Sequence, residues 1–264
     1  MTELSREELI KVNVDILRDI HNFCMQNGIE YSLFYGTLIG AIRHQGFIPW
    51  DDDVDIVMPR AAYNKFVNLY KSERYKLYCC ELDINYDLPI GRLADETTLK
   101  VEKTSTGKNT GIAVDIFPLD GKVLTRRNLF FELGLFWLRN AFRFKGTTLV
   151  KQDRKWYKNI IVGLIKVFLL PYSIQTICKT LNRYIQKFDF ENSVYVGSYL
   201  SPYKKKDCVK RSAFDAYVDV KFEGHTFKAM SGYDEYLRSI YGDYMKLPPL
   251  NHRGTSHNAK FFRK

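Results

Sequence analysis

The sequence predicts an α+β fold: a mixed sheet with flanking helices, plus a helical insertion or extension. Three observations predict it. In the first 123 residues short β-branched and aromatic runs alternate with helical stripes. From residue 124 to about residue 188 the apolar pattern is helical throughout. Further on, two alternating runs flank Glu223-Gly224, the signature of a hairpin. The expected organisation is therefore a mixed unit over 1–123, a basic apolar helical region over 124–190, and a hairpin, helix and basic tail over 191–264.

The elements follow in order. Ser5 with Glu8 forms a capping box, and Leu9, Val12, Ile16, Ile20 and Phe23 recur at helical spacing up to Gly28, a C-terminal stop. Residues 29–35 read as a strand ending at Gly36-Thr37, residues 38–43 as a short helix, and residues 45–50 as a loop. Val54, Ile56 and Val57 alternate with acids in a second strand that Pro59 closes, and residues 61–70 form a helix. Strand-like runs over 75–80, 90–94 and 99–102 precede a turn over 105–111 and an apolar strand over 112–117. Asp120, before Gly121, reads as a turn residue. Helical runs over 124–144, 156–170 and, after Pro171, 174–185 lead to a short strand over 194–200, the hairpin, a helix over 233–241 stopped by Gly242, and an extended basic tail from Leu247.

Composition narrows the function classes. With 264 residues, 45% of them hydrophobic and 15% aromatic, the chain has material for a core, which excludes wholesale disorder. No apolar run reaches the roughly 18–20 residues needed to span a bilayer. The charged N-terminus lacks a signal-peptide stretch, so export is not expected. Five cysteines without a C-x-x-C pair read as reduced thiols of a cytoplasmic protein. The net charge of +10 arises entirely after residue 128, since acids slightly outnumber bases before it. That excess implies an anionic partner, and sign alone does not choose among nucleic acid, nucleotide, polyanionic substrate and membrane surface.

Chemistry concentrates at Trp50-Asp51-Asp52-Asp53-Val54-Asp55-Ile56. In a strand, Asp51, Asp53 and Asp55 project to one face. Such repulsion is tolerable when a hard cation neutralises it, and Mg²⁺ favours carboxylate oxygens together with substrate phosphates. The competing reading is a solvated acidic loop, but anchoring between Trp50 and an apolar ladder argues against it. An EF-hand fails because Ile56 stands where that loop needs Gly, and Ala62 where it needs Glu. Upstream, Gly36-Thr37 joins a strand to a helix start, where backbone N–H groups and a hydroxyl suit a phosphate. Asp115 is a lone acid within an apolar strand, either paired with Arg or Lys or a third carboxylate of a metal site.

The run Tyr35-Gly36-Thr37-Leu38-Ile39-Gly40-Ala41-Ile42-Arg43-His44-Gln45-Gly46-Phe47-Ile48-Pro49-Trp50-Asp51-Asp52-Asp53-Val54-Asp55-Ile56 resembles the signature of the LicD family, bacterial phosphocholine transferases related to the fukutin-type ribitol-phosphate transferases. The resemblance continues in Val114-Asp115-Ile116-Phe117-Pro118-Leu119-Asp120 and in Tyr244-Met245-Lys246-Leu247-Pro248-Pro249, while the middle matches only in being helical and basic. It implies a nucleotidyltransferase-like core with Gly36-Thr37 as the turn and Asp53, Asp55 and Asp115 as catalytic, metal-holding acids. The implied reaction is Mg²⁺-assisted (Mn²⁺ as a substitute) transfer from a CDP-alcohol such as CDP-choline to a sugar hydroxyl of a glycan or lipid-linked glycan, with CMP leaving. Asp115 is then the candidate general base, and Asp51 and Asp52 orient metal ligands or bind the alcohol. Arg43 and Arg92 are candidate diphosphate contacts. Aromatic faces for a choline cation are sought among Tyr31, Phe34, Tyr35, Phe47 and Trp50. Family tails often carry adjacent histidines, whereas His252 and His257 are separated here, which leaves their role open.

Three other classes compete. A nucleotidyltransferase passing on NMP shares the three acids. A metal-dependent glycosyltransferase lacks a supporting nucleotide-sugar motif. A basic nucleic-acid-binding module lacks a binding motif and has an acidic first half, so no nucleic-acid partner is expected. The apolar, basic helices over 124–172 are expected either to bury as a hairpin or to lie on an anionic membrane surface, making the chain peripheral on the inner face.

Overall fold

The computed structural model describes all residues except 84–85, 103–109, 124–128, 147–154, 202, 204–205 and 255–258. The order of elements is β1 (Thr2–Glu3), α1 (Arg6–Asn27), β2 (Ser32–Leu33), α2 (Tyr35–His44), β3 (Val54–Pro59), α3 (Arg60–Leu69), β4 (Lys76–Tyr78), β5 (Gly91–Asp95), β6 (Thr98–Glu102) and β7 (Ile112–Lys122). Three helices follow, α4 (Leu129–Gly146), α5 (Trp156–Phe168) and α6 (Ile174–Ile185). The chain continues with β8 (Tyr195–Gly197), β9 (Val209–Lys210), β10 (Tyr217–Phe222), β11 (His225–Met230), α7 (Tyr233–Tyr241) and β12 (Ala259–Arg263). The fold is α+β, as the sequence predicts.

The central sheet runs β2-β3-β7-β5-β4, with β8 and β9 continuing from the far end of β7. It is mixed because β3 and β7 pair parallel while β2, β5 and β8 join antiparallel. Val54, Ile56, Val57, Val114 and Ile116 are all buried, so the alternating apolar positions of β3 and β7 make the floor of the core. Helix α1 packs its buried stripe of Leu9, Val12, Ile16 and Ile20 on that core. Its capping box between Ser5 and Glu8 is formed, and Gly28 ends it in the left-handed region at φ 57°. The β10–β11 hairpin turns through Glu223 (φ 49°) and Gly224 (φ 75°), the double positive φ of a type I′ turn.

Three local expectations are corrected. The strand over 29–35 shrinks to Ser32–Leu33, because only these two residues find partners, Val57 and Ile56, and the next helix starts earlier, at Tyr35. Asp120 is no turn residue: β7 runs on to Lys122, and Asp120 lies buried in it, held by the Arg60 side chain. The tail is extended only in part: Leu250–His252 form a 3-10 turn, whereas β12 is extended and lies antiparallel between β1 and β6 with Phe261 turned into the core.

Candidate active site

The acids collect where β3 begins. The parallel register sets Asp55 of β3 opposite Asp115 of β7, so the two carboxylates stand on neighbouring strands. Asp51, Asp52 and Asp53, in the approach to β3, bring one carboxylate oxygen each within 4.8 Å of the others. Crowding shows in their proton affinities. Burial, then the charge of Asp53, pushes the Asp51 carboxyl up to about 7. Asp55 is raised well above the usual carboxylate range by burial and by Asp53, Asp115 and Asp51, with Arg92 opposing. Hard oxygen donors in mutual repulsion are the donor set that fits Mg²⁺ or Mn²⁺.

The turn after β2 fixes this edge. The N–H of Phe34 donates to the Asp55 carbonyl at 3.0 Å, and the N–H of Asp55 donates to Thr37 Oγ1 at 2.9 Å, so the two peptides flanking Asp55 are both held. Thr37 is buried, and its hydroxyl serves Asp55. Tyr35 opens α2 with φ 41°, a left-handed conformation that costs a non-glycine residue energy and needs outside support. Gly36 lies under Asp51: a Cβ there would stand 2.6 Å from Asp51 Oδ2.

Asp115 answers to Arg92, which the antiparallel β5 sets directly opposite it. Arg92 Nε donates to Asp115 Oδ1 at 2.6 Å and Nη2 to Oδ2 at 2.9 Å, a bidentate fork. Arg92 thus reaches the acid edge, engaged with a carboxylate. Arg43 turns elsewhere: Nη1 donates to the Tyr244 carbonyl at 2.5 Å and Nε to His44 Nε2 at 2.9 Å, tying the end of α2 to the C-terminal segment.

Of the aromatic candidates, Tyr31 and Phe34 are fully buried core residues and Phe47 is nearly so, which removes their faces from any bound cation. Trp50 is half-buried with the Arg253 guanidinium 5.6 Å from its ring centroid. The side chain of His252 and the whole of His257 lie outside the described residues.

Sequence reasoning missed a buried polar group behind the turn. Tyr35 donates its phenol proton to Asp207, which is fully buried and also accepts from Tyr236 at 3.4 Å. Lys122, at the end of β7, donates to the backbone carbonyls of Asp207 and, at 3.4 Å, Ser198. Burial raises the Asp207 carboxyl and lowers the Lys122 ammonium, each moderated by the other's charge. No local signal marks Asp207, because it follows three lysines and so reads as a surface charge.

Comparison with known proteins identifies the family. A family model described as LicD/FKTN/FKRP, nucleotidyltransferase domain matches residues 28–150, the stretch holding the turn, the acids and Arg92. The lipopolysaccharide cholinephosphotransferase LicD of Haemophilus influenzae is 33% identical over 258 residues, 94% of each chain. An uncharacterized protein of Rickettsia prowazekii is 51% identical over 41 residues, 16% of this chain and 15% of that protein. A similar one of Rickettsia typhi matches at the same identity over 13% of its own length. A third of the positions shared along nearly the whole length, with the acid-bearing turn inside the matched domain, place the chain in the LicD family.

Proposed function

We propose that the chain is a metal-dependent transferase that moves a phosphocholine-type group from a CDP-alcohol, CDP-choline first, to a sugar hydroxyl of a glycan or lipid-linked glycan. The observation that carries this reading is the acid edge: Asp55 and Asp115 in parallel register, Asp51–Asp53 gathered beside them, and the Gly36–Thr37 turn clamped to Asp55. The name of the Haemophilus influenzae relative supports the phosphocholine group and the glycan acceptor.

Asp53, Asp55 and Asp115 would hold the cation, with Asp51 and Asp52 completing the acidic wall; Asp53 belongs both to this set and to the three carboxylates, Asp51, Asp52 and Asp53, whose oxygens lie within 4.8 Å of one another. When bound, Mg²⁺ or Mn²⁺ supplies neutralisation of phosphate charge and a lower pKa for the attacking hydroxyl. The protein's own residues do the rest. The sugar oxygen bonds to the phosphorus that carries the alcohol, the bond from that phosphorus to the bridging oxygen breaks, and CMP leaves. The hydroxyl proton passes to a carboxylate of this edge. Both oxygens of Asp115 accept from Arg92, so Arg92 keeps that carboxylate oriented. It is also the cation of the site best placed to meet the diphosphate. Five unpaired cysteines, four of them buried, fit a reducing, cytoplasmic compartment.

A donor screen tests the reading. With Mg²⁺ and a glycan acceptor, CDP-choline is expected to release CMP faster than CDP-ribitol, CDP-glycerol or CDP-ethanolamine. Pyrophosphate release from a nucleoside triphosphate, with no CMP from any CDP-alcohol, would replace it with NMP transfer, which the nucleotidyltransferase domain also suits.

A further inference from the structure

More than half of the exposed large apolar side chains among the described residues lie between Leu129 and Tyr172. Helix α4 has a committed face: Phe131 and Leu135 pack on Leu181, Ile185 and Tyr199, and the Phe131 ring stacks on Tyr184 at 4.9 Å. Its opposite face carries Phe130, Leu133 and Trp137, with Phe130 88% exposed. Helix α5 is barely anchored, since Val162 is its one buried residue, while Trp156, Leu164 and Phe168 face outward. The two helices meet at their C-terminal ends, where Lys145 Nζ donates to the Leu169 carbonyl at 2.9 Å and Lys166 Nζ to the Lys145 carbonyl at 3.5 Å. Two neighbouring helices thus each leave an apolar face uncovered, more exposed apolar surface than isolated residues would make.

We propose that this surface seats the protein on an anionic membrane, with α4 and α5 lying in the headgroup plane. Charge selects the occupant. The two helices hold five basic residues against the single acid Glu132; Arg139, Lys145 and Lys166 donate to backbone carbonyls of the protein, while Arg143 and Lys158, with Lys155 immediately before α5, stand exposed. On α5 the exposed apolar residues Trp156, Ile160, Leu164 and Phe168 share one face, and the exposed Lys158 stands to its side, from where a long basic side chain can reach headgroups. A second copy docked about a two-fold axis would set these bases against their own kind. Among the described residues no helix is long and apolar enough to cross a bilayer, so the contact is along the surface. Of the sequence's two expectations for these helices, α4 satisfies the buried one on its inner face only.

The test uses the full chain with zwitterionic vesicles and with vesicles containing phosphatidylglycerol. At low salt the protein is expected to sediment with the anionic vesicles at least about tenfold better than with the neutral ones, and to be released by high salt. Brominated lipid should quench its tryptophan fluorescence, and the Trp137→Phe/Trp156→Phe variant should lose that quenching while still binding. Phe130→Ser with Phe168→Ser, both at exposed positions, should leave the thermal transition in place and move the protein to the supernatant. Equal recovery in the supernatant with and without anionic vesicles overturns the proposal. So does unchanged binding of the serine variant, or a stable dimer that buries these tryptophans and ignores vesicles. None of these readouts depends on the donor or on turnover.

Discussion

Strand β7 carries two aspartates five residues apart, each gripped by an arginine fork, and the two pairs live in different surroundings. Their odd separation sends them to opposite faces of the sheet. Asp120 takes Arg60 Nε at 2.7 Å and Nη2 at 2.6 Å, and Asn182 of α6 takes a further Arg60 N–H at 3.0 Å. The side chains there are 1% and 10% exposed. Asp115 and Arg92 make the same fork, but at 23% and 19% exposure and beside the crowded Asp55. One ion pair is sealed by protein and ties the helical region to the sheet. The other is open towards the acids. Identical chemistry thus serves the frame where it is enclosed and the reaction surface where it is not.

The largest effect expected from breaking this contrast is on the open side. Asp53→Asn and Asp55→Asn should each lower CMP release from CDP-choline on the order of a thousandfold or more, a barrier of about 4 kcal/mol. The amide keeps the volume and removes a repelling charge, so the thermal transition of the metal-free variants should be no lower than the parent's. Wild-type turnover in either variant would remove the acid edge from the mechanism.

Next comes stability, where the enclosed pair should dominate. Arg60→Leu leaves Asp120 buried without its partner, and urea denaturation should show a loss of about 3–5 kcal/mol. Arg92→Leu leaves Asp115 partly in contact with water, and the loss there should be about 1 kcal/mol, with turnover strongly reduced. Equal destabilisation by the two substitutions would mean that Asp115 is as structural as Asp120.

The contrast also explains what the sequence could and could not reveal. Signals confined to one turn of chain were legible: the Ser5–Glu8 box, Gly28, the Glu223-Gly224 hairpin and the acid run before Val54 all carry their cause in adjacent residues. The Arg60–Asp120 fork spans sixty positions, so Asp120 beside Gly121 looked like a turn. The last strand reads only as an extended basic segment because its partners, β1 and β6, lie at the other end of the chain and in its first half. Asp115 was recognisable as an acid needing compensation, but the choice of Arg92 follows only from the register of β5.

Metal removal bears on the open side alone. Excess EDTA should abolish transfer, and Mg²⁺ with CDP-choline at a hundredfold excess over its Kd should stabilise the wild type by about 2.7 kcal/mol. The Asp55→Asn variant should show little of this shift, whereas an exposed change such as Glu235→Gln on α7 should keep it whole. Full turnover in EDTA would refute the metal reading while leaving the two arginine forks untouched.

The finest probe is Gly36→Ala, which adds one carbon and, net, two hydrogens beneath the acid edge. The new Cβ would meet Asp51 Oδ2 at 2.6 Å, and among the nearby atoms only the Asp51 carboxylate lies so close. A carboxylate at the end of a side chain can swing aside, so the fold bears little cost. Alanine also gains up to about 1 kcal/mol over glycine inside a helix, and Gly36 lies in the first turn of α2. Stability should therefore hold or rise slightly. The displaced carboxylate, however, leaves the group it forms with Asp52 and Asp53, and Mn²⁺ affinity should fall about tenfold, within the range seen when the supports of metal ligands are lost. A variant with unchanged Mn²⁺ affinity and turnover would show that Asp51 merely lines the edge, and that Asp53 and Asp55 carry the site with Asp115.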